Sequence, residues 1–183
     1  MFNHFAPPNL RYSFAFLIAS IALSSLSLPI CAQDQDKDSA GVIASDKATA
    51  KDVGLPIYPG SKPRKDKDDN SPAANLGLWG GGSGFKLVVL KMESNDSPEK
   101  IAVFYKKALS KYGPVLDCSN PPPNSAGVSK DDSKTLTCGD DKPDKGGVLF
   151  KSGTKERQHI VAIQPNGQGT FYQLLNVGVW GSK

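Results

Sequence analysis

Between Ser97 and Gly113 the chain reads SPEKIAVFYKKALSKYG, and apolar side chains recur at three- and four-residue spacing: Ile101, Phe104, Tyr105, Ala108, Leu109 and Tyr112. That period lays one apolar stripe along a helix of about four turns. Lys100, Lys106, Lys107 and Lys111 fall on the opposite side. Ser97 is placed to cap the helix, Pro98 suits its first position, and Glu99 favours the positive end of the dipole. Gly113, followed by Pro114, stops it.

Around this helix the pattern changes to a period of two. Phe85 to Glu93 (FKLVVLKME) sends Phe85, Leu87 and Val89 one way and Val88, Leu90 and Met92 the other, so a central strand with both faces apolar is expected. Ala73 to Trp79 is a second strand candidate, reversed into the first by Gly80-Gly81-Gly82-Ser83-Gly84. After the helix come Val115 to Cys118, Gly146 to Lys151, Arg157 to Gln164 and Thr170 to Val179; Asn166-Gly167 between the last two is a strong hairpin signal. The expected fold class is α+β: a single antiparallel β-sheet packed against one main helix, about 97–113. In the stretch from Thr170 to Trp180, Phe171, Leu175 and Val177 share one face and Tyr172, Leu174 and Trp180 the other. A helix over one face leaves the other as an apolar patch wanting a partner. Tyr172, Leu174 and Trp180 are therefore the candidate interaction surface.

The first 53 residues behave differently. Arg11 precedes SFAFLIASIALSSLSLPI, an uncharged apolar run, and then Cys31-Ala32-Gln33, the layout of a secretory signal peptide over 1–32. Cleavage after Ala32, a lipidated Cys31 at a lipoprotein box (Leu28-Pro29-Ile30-Cys31) and an uncleaved anchor all fit this leader. Residues 33–53, with few apolar side chains and mixed charge, are expected to be a disordered spacer. A single α+β domain then spans 54–183. Within it an exposed Pro-rich loop, 119–137, is bracketed by Cys118 and Cys138. Once the leader has removed Cys31, these two are the cysteines that remain. An even pair in an oxidising compartment predicts a disulfide. The chain is thus expected to be exported: periplasmic or secreted, or membrane-anchored through the leader or a lipid on Cys31.

Charge adds little. Residues 54–183 carry 18 Lys and Arg against 13 Asp and Glu, an excess that serves solubility. The longest basic cluster, from Lys62 to Asp69, neutralises itself, so no nucleic-acid partner is expected.

Leu55-Pro56-Ile57-Tyr58-Pro59-Gly60, taken with Asp96-Ser97-Pro98-Glu99-Lys100-Ile101 and Phe104-Tyr105-Lys106-Lys107-Ala108-Leu109, resembles a recurrent bacterial exported domain. That family has an "LPxYPGA" start and a "DSPEKVxxFYxxxL" helix followed by hairpins. The similarity covers 55–113 well and 146–178 loosely; Ser61 replaces the usual alanine. The resemblance implies the fold and an envelope location, and it implies no chemistry.

Candidate chemistry is sparse. His159, the only histidine outside the leader, lies in a strand pattern; as a general base it would need a nucleophile and an orienting carboxylate, and no sequence motif supplies them. The glycines of 77–84 lead into a strand, whereas a phosphate cradle opens onto a helix. Asp131, Asp132, Asp140, Asp141 and Asp144 lack the alternating spacing of a calcium loop. No catalytic, cofactor or metal residue is assigned. The leading expectation is a non-catalytic exported module that binds a macromolecule, or itself, through its sheet. A small hydrolase using His159 and a cystatin-like inhibitor are the alternatives, the second by architecture alone.

Overall fold

The computed structural model describes residues 39–65, 71–120 and 136–181. The expected signal peptide with Cys31, and residues 121–135 of the Pro-rich loop, lie outside the described residues. Among the described residues, eight strands form one antiparallel sheet with one main helix across it, an α+β fold. The strands are β1 (Gly41–Ser45), β2 (Lys62–Pro63), β3 (Ala73–Gly80), β4 (Ser83–Ser94), β5 (Leu116–Asp117), β6 (Val148–Gly153), β7 (Arg157–Asn166) and β8 (Gly169–Trp180). The helices are α1 (Ala50–Val53) and α2 (Pro98–Leu109), the latter continued by a 3-10 turn at Ser110–Tyr112.

The spatial order is β1-β3-β4-β8-β7-β6-β5, with β2 paired to β4. The chain leaves the sheet after β4, crosses it as α2, and returns at the far edge. The hairpins then run back inward, so the C-terminal β8 ends in the middle. There it pairs with β4 from Gly84↔Trp180 to Ser94↔Thr170 and with β7 from Arg157↔Gly178 to Asn166↔Gly169. The β3–β4 hairpin turns on Gly81 and Gly82, both left-handed at φ 57° and 79°. Two consecutive positive φ values are what a tight hairpin of this hand requires and what glycine allows.

One face of the sheet lies under the helices. Val88, Leu90 and Met92 of β4, Tyr172 and Leu174 of β8, Val161 and Ile163 of β7, and Phe150 of β6 meet Ile101, Tyr105 and Leu109 of α2. A smaller cluster packs on the opposite face at the β5–β6–β7 side: Leu149 with the Cys118–Cys138 disulfide, beside Leu116, Ile160 and Ala162. The disulfide read from the sequence is present. The helix begins at Pro98, with Ser97 extended before it but making no side-chain cap bond to the helix.

Two expectations are corrected. Residues 33–53 are not a spacer throughout. Residues 41–45 are strand β1, paired with β3 from Gly41↔Trp79 to Ser45↔Asn75, and residues 50–53 are α1. Folded structure therefore starts well before residue 54. Thr49 and Asp52 close a capping box around α1, Gly54 ends it in a left-handed conformation, and Val53 is fully buried in the main core. The second correction concerns the faces of β8. Tyr172 and Leu174 share a face with Trp180, as the period requires, but it is the face that α2 covers, and both are fully buried. Trp180 lies past the helices and is 43% exposed.

Candidate functional site

The segment after α1 is tied to α2 by residues of both resembling motifs. Tyr105 donates its hydroxyl to the Pro56 carbonyl (3.0 Å) and accepts the Tyr58 amide (3.2 Å). Tyr58 stands edge-on to Phe104 and donates its hydroxyl to Asp96 (3.0 Å), which also pairs with Lys100 (2.9 Å). Bonds from Lys100 and then Tyr58 hold the Asp96 carboxyl below its ordinary range. Burial pushes the Tyr105 hydroxyl far up, so it remains a neutral donor. This network joins one loop to one helix. It ties the two sequence segments to each other, and it uses its polar groups internally.

His159 is engaged in the same way. Its ring stacks on Tyr112 (centroids 3.5 Å apart, planes at 14°), and Nδ1 donates to the Val53 carbonyl at 3.0 Å. The Tyr112 hydroxyl donates to the neighbouring Gly54 carbonyl. Burial, the largest effect, moves the imidazole below its ordinary value, and Lys111 adds to the same direction. Among the described residues no carboxylate contacts the ring. The arrangement pins the end of α1 to the sheet.

The acidic residues near the disulfide are likewise dispersed. Asp141 pairs with the buried Lys151, and Asp144 accepts from the Gln164 amide. Among the described residues, no group of three or more His, Cys, Asp or Glu is arranged to hold a metal; Asp131 and Asp132 lie outside them.

What remains open is the face opposite the helices. The disulfide cluster covers its β5–β6–β7 side, and Arg64 lies over the Phe171 ring at 4.2 Å. Among the described residues nothing covers the rest, and it is apolar in register. Val42, Leu78, Phe85 and Val179 form one cross-strand row over β1, β3, β4 and β8; Ala44, Leu76, Leu87 and Val177 form the next. Ala74, Val89 and Leu175 continue it. No charged side chain interrupts these rows, and Val42, Leu78, Leu76 and Phe85 are 72%, 59%, 42% and 39% exposed. At strand spacings of about 4.8 Å and residue pairs of about 7 Å, the grid covers on the order of 400 Å², the size of the largest apolar patch a monomer ordinarily leaves open and one that often serves a function. A sequence-level sign of this surface exists in Phe85, Leu87 and Val89, which alternate to one side. Val42 was hidden in the expected spacer.

Comparison with protein-family models, with curated proteins and with solved structures finds no significant match to this chain.

Proposed function

We propose that the chain is a non-catalytic, exported binding module whose macromolecular partner docks on the uncovered apolar grid of β1, β3, β4 and β8. The observation that carries this reading is the unbroken absence of charge across three cross-strand rows, four of whose members are more than a third exposed. Burying such a surface releases about 25 cal/mol for each Å² of apolar area removed from water. A face without charges also imposes no ionic desolvation cost on its partner. The edge of β1, which no other described strand pairs, adds backbone donors and acceptors to the same site. The His159 hydrolase reading gains no support from a ring committed to Tyr112 and Val53, and no observation favours the cystatin-like one.

The test is the binding of a hydrophobic dye to the folded protein, with sedimentation to give its association state. Dye fluorescence should rise with the wild type, and the double variant Leu78→Lys, Phe85→Lys should abolish the rise while keeping its circular dichroism. A wild-type protein that is monomeric and leaves the dye dark would overturn the reading.

A further inference from the structure

Trp79 of β3 and Trp180 of β8 stand on the helix-bearing face in one cross-strand row, Gly41–Trp79–Gly84–Trp180. Each indole lies over the glycine of the neighbouring strand. The same three ring atoms, Cε2, Cζ2 and Cη2, fall within 2.9 Å of the point where a Cβ would stand on Gly41 and on Gly84. Any other residue there would push the ring away, so the glycines let both indoles rest on the backbone. The rings sit over β1 and β4, two strand spacings or about 10 Å apart.

The next row on the same face reads Ile43–Gly77–Lys86–Gly178–Arg157. Its two glycines keep the floor low, and its two cations are exposed. One row further on, the Asn176 amide donates to the Asp52 carbonyl of α1 at 3.1 Å, so α1 walls the platform on that side.

We infer that this double row is a binding platform for an acidic β-linked polysaccharide. The indole face is electron-rich and attracts the weakly positive axial C–H hydrogens of a pyranose lying flat upon it. Two indoles on one face of the sheet about 10 Å apart match the repeat of an extended β-linked chain, in which alternate sugars present the same face. Lys86 and Arg157 then meet carboxylates on the sugars. Single-stranded nucleic acid also stacks on aromatic platforms, but following its phosphates takes a longer run of cations than these two. A second copy of the chain would bring the same cations together across a two-fold contact.

Trp79 and Trp180 are the only tryptophans in the chain, so its indole emission reads this platform directly. The experiment titrates the full chain with mannuronate-rich alginate oligosaccharides. Hydroxyethylcellulose serves as the neutral β-glycan and oligo-dT as the nucleic acid. Alginate should change the emission saturably, and Trp180→Ala and Trp79→Ala should each weaken binding at least tenfold. Removing an indole could disturb the hairpin. Lys86→Glu with Arg157→Glu leaves both rings in place and should also weaken alginate binding tenfold or more, while leaving hydroxyethylcellulose binding within twofold. No emission change with either glycan overturns the inference. Alginate binding indifferent to the tryptophan variants reduces it to simple ion exchange, and tighter binding to oligo-dT hands the platform to nucleic acid.

Discussion

His159 on β7 and Val53 at the end of α1 are 106 residues apart in the chain and are joined by one hydrogen bond, Nδ1 to the carbonyl, at 3.0 Å. The bond needs a proton on Nδ1, which the neutral ring supplies. Burial holds the folded ring below its unfolded value of 6.5. Between those two values the unfolded chain binds the additional proton, so stability is full above about pH 6.5 and falls as the pH drops toward the folded value. Urea midpoints measured from pH 7.5 to 5 should decline, and His159→Gln should remove that part of the decline. A His159→Gln protein with the wild-type slope would show that the ring does not titrate on unfolding.

Tyr105→Phe should destabilise the fold by about 1–3 kcal/mol, because the Tyr58 amide and the Pro56 carbonyl both lose their partner in a part-buried site. Thermal unfolding would read the loss. Amide exchange at Tyr58 should accelerate with it.

Val53→Ala should cost about 2 kcal/mol, the loss expected for truncating a fully buried aliphatic side chain. Substituting the exposed Lys51, two residues before it on the same helix, should move stability by no more than about 0.5 kcal/mol. Denaturant melts of the two variants separate a folded α1 from a spacer, in which neither change would register.

Replacing both Cys118 and Cys138 by alanine should lower stability by about 3 kcal/mol, since the bond closes a separation of 20 residues. Both cysteines are buried, so reduction of the native protein should be slow without denaturant. Peptide mass mapping with and without reductant checks the pairing; denaturant midpoints check its energy.

Much of this architecture could be read from local pattern. The period of α2, the two-faced alternation of Phe85–Glu93, the Asn-Gly hairpin and the paired cysteines each depend on neighbours in sequence, and each appears where expected. Strand β1 and α1 could not be read this way. A five-residue edge strand takes its hydrogen bonds from β3, and a single helical turn has too few residues to show a period. Their stability comes from Val53 entering the core and from the His159 and Tyr112 contacts, all supplied from far along the chain.

The sequence by itself determined that Tyr172, Leu174 and Trp180 share a side, because strand side chains alternate whatever surrounds them. Which side would be covered was decided by the tertiary structure. The crossover after β4 lays α2 over Tyr172 and Leu174, and the return of β8 to the centre aligns Val179, Phe85, Leu78 and Val42 into one row on the other face. The same register sets each indole against a glycine two strands from the next. Alternation is a property of one strand, whereas a surface is a property of the order in which strands are assembled.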